Sequence, residues 1–165
     1  MKLLLKNLLF TLVIPGSVAV YVPLWIAWDR APASGAPRVL AAALFALGGA
    51  LYAWTVWDFA AFGRGTPAPI DAPRRLVVRG LYRYTRNPMY VGILTVLVGQ
   101  VALFASTALA LYAIAVLAGF HAWIVAYEEP RLAAAFDSQY AAYCRQVPRW
   151  LPRPRGLYSR ADRST

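Results

Sequence analysis

Gly80-Leu81-Tyr82-Arg83-Tyr84-Thr85-Arg86-Asn87-Pro88-Met89-Tyr90-Val91-Gly92 marks the point where an Arg- and Tyr-rich segment passes into an apolar helix. Asn87-Pro88 reads as the start of that helix: an Asn side chain can accept from the open amides of a first turn, and Pro at the first helical position gives up no hydrogen bond. Tyr82, Tyr84 and Tyr90 then surround the start. The apolar run continues over residues 88–105, Ser106 and its neighbours interrupt it, and a second run fills residues 107–127 with one imidazole, His121. So short a break predicts a tight antiparallel helical hairpin. The returning helix must bring Glu128-Glu129, immediately before Pro130, back to the level of Arg86, Asn87 and Tyr90.

Outward from this hairpin, composition decides the solvent. Hydrophobic residues make up 60% of the chain and charged residues only 15%, well above the roughly 45–50% apolar usage of a soluble domain. The expected fold is an all-α integral membrane protein with four transmembrane helices, over about residues 8–28, 39–61, 88–105 and 107–127. The last two form the hairpin, and a cytoplasmic amphipathic helix over residues 131–146 follows it. The first two runs reach the roughly 20 residues that a hydrocarbon core requires, the second being broken only by Asp58. Run 8–28 follows Lys6 in the manner of a signal peptide, but it is too long and lacks a small-x-small cleavage site, so it reads as a retained span. Residues 1–152 form a single membrane domain and residues 153–165 a loose basic tail.

Charge sets the orientation. Lys2 and Lys6, six Arg between the second and third runs (Arg64, Arg74, Arg75, Arg79, Arg83, Arg86) and seven beyond the fourth place 15 of the 17 cations on one side, leaving Arg30 and Arg38 for the other. That asymmetry puts both termini and the long loop in the cytoplasm. The net charge of +10 therefore calls for no nucleic acid, although a basic rim also suits anionic lipid headgroups. A single cysteine, Cys144, excludes an internal disulfide and a multi-Cys metal site, and no metal is expected.

Gly63-Arg64-Gly65-Thr66-Pro67-Ala68-Pro69 cannot continue a helix, and Leu76-Val77-Val78 reads as an extended stretch along the membrane surface. Two readings fit the Glu pair: an interfacial salt bridge with Arg83 or Arg86, or a polar site gathered at one end of the hairpin. His121 lies seven residues before Glu128, which puts both on one helix face. An ionisable group inside a membrane usually faces a cavity or a partner, and Gln100 offers an interhelical hydrogen bond to His121 instead. Beyond Pro130, Leu132, Phe136, Tyr140 and Tyr143 form the apolar face of an interfacial helix, which Val147-Pro148-Arg149-Trp150-Leu151-Pro152 terminates.

The pattern Gly80-x-Tyr82-x-x-x-Arg86-Asn87-Pro88-x-Tyr90-x-Gly92, followed by Glu128-Glu129-x-x-Leu132-x-x-x-Phe136-x-x-x-Tyr140-x-x-Tyr143-x-x-x-Val147-Pro148, resembles the isoprenylcysteine carboxyl methyltransferase family. That family is similar in turn to the phospholipid N-methyltransferases. The resemblance covers roughly residues 63–152. It implies a membrane enzyme that takes a methyl group from S-adenosylmethionine and passes it to a lipophilic or membrane-delivered carboxylate, amine or thiol. It also implies cofactor contacts at Leu76 and Val77, at Tyr82, at Asn87, Pro88, Met89 and Tyr90, and at Glu128, with Arg74 and Arg75 on the approach; it assigns no catalytic base. The chemistry of these groups agrees. A helix N-terminus offers amides to a carboxylate, Glu128 can take an ammonium or ribose hydroxyls, and tyrosines can pack on adenine or lie near a sulfonium.

Other features of the sequence fit this reading. No G-x-G-x-x-G follows a strand, as expected of a cofactor site that is not a Rossmann fold. The sequence departs from the family pattern at Asn87, where His is usual and where Asn cannot titrate near neutral pH. It departs again at Ile124, where the eukaryotic enzymes carry an Arg for the substrate carboxylate. Richness in Ala, Arg, Gly and Pro suggests a GC-rich bacterial genome and hence an inner membrane. A non-enzymatic lipid-binding or assembly protein would account for the basic rim and the amphipathic helix, but not for Asn87-Pro88-x-Tyr90 joined to Glu128-Glu129. Sterol reductases, similar to this family in their C-terminal region, are expected to carry additional spans.

Overall fold

The computed structural model describes residue 9, residues 11–59, residue 61 and residues 76–151. Lys2, Lys6, the 63–69 segment, Arg74, Arg75 and the 153–165 tail lie outside the described residues. Among the described residues there are helices and no strand. We number them α1 (Thr11–Ile26), α2 (Ala36–Asp58), α3 (Pro88–Phe104), α4 (Thr107–Trp123) and α5 (Glu129–Gln146), with a 3-10 turn at Gly80–Arg83 before α3. A π-helical turn, Ile124–Glu128, runs α4 into α5. Two helical runs, α2 and the continuous Thr107–Gln146 stretch, are long and apolar enough to cross a membrane, whereas α1 and α3 are apolar but shorter. Trp25, Trp28 and Trp57 stand 75%, 81% and 68% exposed, the outward placement that interfacial aromatic belts take.

The closest packing is between α2 and α3. Ala41, Gly48 and Thr55, each seven residues from the next, are buried along one side of α2, and Gly92 and Gly99 are buried on α3. A Cβ on Gly48 would lie 2.7 Å from the Gly92 carbonyl oxygen, one on Gly92 would lie 2.9 Å from the Gly48 oxygen, and one on Gly99 would meet the Phe45 ring at 2.8 Å. The backbones touch there. Where lipid is as apolar as the side chains, such contact between small residues drives helix association.

Antiparallel packing carries the end of α2 to the start of α3. Asp58, 3% exposed, lies 3.7 Å from the Arg79 Nε. Gly80 takes φ +55, and a Cβ there would sit 2.1 Å from Asp58 Oδ2. Only glycine accepts both that conformation and that contact. The turn is thereby seated on α2, with the Tyr82 ring 5.7 Å from that of Phe59.

The predicted hairpin forms. Ala105 takes the left-handed conformation (φ 46) that ends α3, and the buried Ser106 starts α4 by accepting from the Leu109 amide at 3.4 Å. Helix α1 docks through its own defect. At the π turn Ser17–Tyr21 the Val22 amide reaches back to the Ser17 carbonyl, and Pro23 has no amide, so the carbonyls of Val18 and Ala19 lose their usual donors. Tyr112 donates to the first at 3.0 Å and Gln100 to the second at 2.5 Å. Gln100 therefore ties α3 to α1 and is not the partner of His121. At the other end, α5 is broken at Asp137, whose φ of 40 and ψ of −117 are not helical.

Gly92→Ala is expected to destabilise the protein by about 1–3 kcal/mol, because the methyl must displace backbone. Gly49→Ala, where a Cβ meets nothing within 4 Å, is expected to be neutral or to stabilise by up to about 1 kcal/mol. Thermal unfolding in one detergent would compare them, and equal behaviour of the two variants would refute the close contact.

Candidate functional site

The site grows from the start of α3. Asn87 occupies the N-cap position with Pro88 next, as predicted, but its side chain makes no capping bond. Its amide group donates to the Arg149 carbonyl at 3.1 Å, the Thr85 hydroxyl donates to the same oxygen at 3.0 Å, and the Arg86 amide donates to the Pro148 carbonyl at 2.9 Å. The physical reason is competition: the segment leaving α5 presents carbonyls with no helical donor, and Asn87 satisfies one of them. The first turn of α3 is left without a side-chain cap.

The Glu pair is divided between two tasks. Glu129 accepts from Arg149 Nε and Nη2, both at 2.8 Å, and lies 3.1 Å from Arg86 Nη1. Burial pushes its carboxyl up, but the hydrogen bonds from Arg149 and the charges of Arg86 and Arg149 outweigh that and hold it below the ordinary 4.5. Glu129 thus follows the salt-bridge reading. Glu128 instead accepts from the Tyr90 hydroxyl and, at 3.0 Å, from the Trp123 indole, both on Oε1. The π turn makes the difference, because the extra residue per turn brings Trp123 and Glu128, five apart, together and rotates everything beyond. It also undoes the expected pairing of His121 with Glu128. His121 is exposed and accepts from the Trp150 indole at 3.2 Å, with the two rings stacked.

Between these groups lies a small pocket lined by Arg86, Asn87, Ile124, Glu128, Glu129, Leu132, Tyr140 and Tyr143. Of the residues the resemblance singled out, Asn87 and Glu128 line it. Tyr90 reaches it through Glu128, and Tyr82, buried, accepts a 2.8 Å bond at its carbonyl from the Tyr143 hydroxyl. Pro88 is fully buried at the start of α3, while the Met89 side chain packs with Ala19 and Ile93 on the side facing α1. Leu76 packs against the cluster of Tyr140, Tyr143 and Val147, and Val77 is buried nearby in sequence. The 76–78 stretch thus packs against α5. Arg86, Leu132, Tyr140 and Tyr143 stand in the quoted pattern but were given no cofactor contact, and Arg149 was not singled out. The spacing of Leu132, Tyr140 and Tyr143 was visible, but an amphipathic pattern reads the same whether lipid or protein covers it.

A carboxyl whose folded pKa is lowered adds stability that is fully present above pH 4.5 and is lost as pH falls through the lowered value. The apparent melting temperature of the wild type in detergent should therefore fall more steeply below that pH than that of Glu129→Gln. Parallel acid profiles would remove Glu129 from the clamp.

A model of the phospholipid methyltransferase family matches residues 37–139, well over half of the 165-residue chain. The match runs from the first turn of α2, through the Gly48–Gly92 contact, the start of α3 and the Glu pair, into α5. No curated protein and no solved structure matches the chain. An apolar, all-helical protein with a carboxylate held at the start of an uncapped helix, and matched by that family over this region, belongs to the phospholipid methyltransferase family of membrane methyltransferases.

Proposed function

We propose that the protein is an S-adenosylmethionine-dependent methyltransferase whose donor site is the pocket between α3, the π turn and α5. The observation that carries this reading is Glu128, a carboxylate held by Tyr90 and Trp123 in the wall of a pocket that Asn87, at the N-cap position of α3, also lines. A donor that carries an ammonium and a sulfonium calls for such a group. When bound, S-adenosylmethionine supplies an electrophilic methyl group, whose transfer to an acceptor's lone pair leaves a neutral thioether.

The residues of this chain then bind, orient and exclude water. Asn87, Pro88, Met89 and Tyr90 supply the helix start, Tyr82 supports it from below through Tyr143, and Leu76 and Val77 back the tyrosine cluster. Ile124, 1% exposed, and Leu132 form the apolar wall of the pocket, which favours a reaction in which a cationic donor loses charge. No base is assigned. The acceptor is a lipophilic or membrane-delivered carboxylate, amine or thiol, in line with the family and with the apolar outer surface. We further propose four spans, with α1 and α3 crossing alongside the two longer runs, residues 1–152 as one domain, and both termini on the cytoplasmic side of a bacterial inner membrane, as the 15 to 2 division of cations favours.

Calorimetric titration of the purified protein with S-adenosylmethionine tests the assignment. Glu128→Ala should weaken binding at least on the order of 10-fold, as expected for loss of a charge-assisted partner, while Tyr90→Phe, which frees Glu128 without removing it, should weaken it less. Unchanged affinity in Glu128→Ala would sink the site.

A further inference from the structure

Asp137 divides α5. Its φ of 40 and ψ of −117 lie outside the regions open to a residue with a Cβ, and such a backbone persists only where its surroundings hold it, as at clamps and switch segments. The pocket lies across this division. Tyr140 and Tyr143 line it from beyond Asp137, whereas Asn87, Ile124, Glu128 and Leu132 line it from before. Its cavity of about 30 Å³ has room for one or two waters, far below the roughly 300–1,000 Å³ of a small-molecule site. A ligand of the methyl donor's size enters only if one wall moves.

The two walls are not equally free. The start of α3 is pinned by backbone contact with α2 and by the buried Pro88, and the π turn is continuous with α4. Residues 138–151 hold to that body through links that can be broken one at a time. The Tyr143 hydroxyl donates to the Tyr82 carbonyl at 2.8 Å, and Arg86 Nη1 donates to the Cys144 sulfur at 2.7 Å. Thr85, Arg86 and Asn87 donate to the carbonyls of Pro148 and Arg149, and Arg149 pairs with Glu129. The link farthest along the chain from Asp137 is the bond from the Trp150 indole to His121 Nδ1 at 3.2 Å, with the rings 6.3 Å apart, and it is exposed. Exposed hydrogen bonds backed by few apolar contacts are the first to open.

We propose that residues 138–151 form a flap, hinged at Asp137 and latched by Trp150 on His121, that swings away from α3 and the π turn to let the methyl donor enter and leave. When the flap is down, Tyr140, Tyr143 and Val147 close on Leu132 and Phe136. The inference rests on the methyl-donor reading above and adds to it a moving wall, with His121 and Trp150 as positioning residues.

The test measures association and dissociation rates of labelled S-adenosylhomocysteine on the full chain in detergent. Trp150→Phe keeps a ring and removes the N–H donor, so both rates should rise about 3- to 10-fold, the worth of one hydrogen bond. A merely structural role would speed dissociation alone. In the opposite arm, His121→Cys with Trp150→Cys, in a Cys144→Ala background, is bridged by a short thiol-specific cross-linker that reductant cleaves. The bridged protein should take up and release ligand at least on the order of 10-fold more slowly, and reductant should restore both rates. The arms are independent, so either decides if the other variant fails to fold. Unchanged rates in the bridged protein would overturn the flap while leaving the donor site intact, and Trp150→Phe that speeds dissociation alone would overturn the latch. Folded wild type that binds no S-adenosylhomocysteine would overturn the methyl-donor reading itself and this proposal with it.

Discussion

Backbone contact between α2 and α3 at Gly48 and Gly92 is the constraint on which the other features depend. A single methyl on either residue would collide with a carbonyl of the other helix, so the two backbones lie in direct contact there. That approach fixes the axial register, and the register places Asp58 beside Gly80 and seats the turn that carries Tyr82. The start of α3 is therefore held from two directions. Its axis is held by α2 and its incoming chain by a buried carboxylate at the end of α2.

The second constraint is the π turn between α4 and α5. Two adjacent glutamates on a helix point about 100° apart and so meet different neighbours. Here Glu129 closes a clamp that fastens the segment leaving α5 to Arg86, while Glu128 turns to Tyr90 and Trp123. The clamp and the carbonyl bonds from Thr85, Arg86 and Asn87 to Pro148 and Arg149 work as one unit. One glutamate thereby stabilises the walls of the pocket and the other is held by two neutral donors. π turns recur at functional sites for this reason: they re-aim a side chain without ending the helix.

Much of this was legible in advance because it follows from local rules. Asn87-Pro88 as a helix start, the break at Ser106 and the return of Glu128-Glu129 to the level of Arg86 depend only on chain punctuation and helix rise. The apolar composition needed no neighbours either. The failures share a cause. Gln100 was one candidate partner for His121 by proximity of spans, but Pro23 and the π turn of α1 expose carbonyls that claim it first. Asn87 was expected to cap its own helix, but the returning chain offers a carbonyl in need of a donor. Tyr140 and Tyr143 looked like residues turned to lipid, yet they are 6% and 3% exposed against protein.

What the sequence determined by itself is therefore the kind of solvent, the helical class, the positions of the turns and the small set of polar residues drawn to one end of the hairpin, because each follows from residue type and spacing along one chain. Tertiary structure alone decided which of those polar groups neutralise each other and which remain open: Glu129 with two arginines, Glu128 held by two neutral donors, and Arg86 with a buried N–H to spare. The physical reason is that hydrogen bonds in a desolvated site are assigned by competition among all groups within reach, and reach across helices is set by the close approach at two glycines and by one extra residue in a turn.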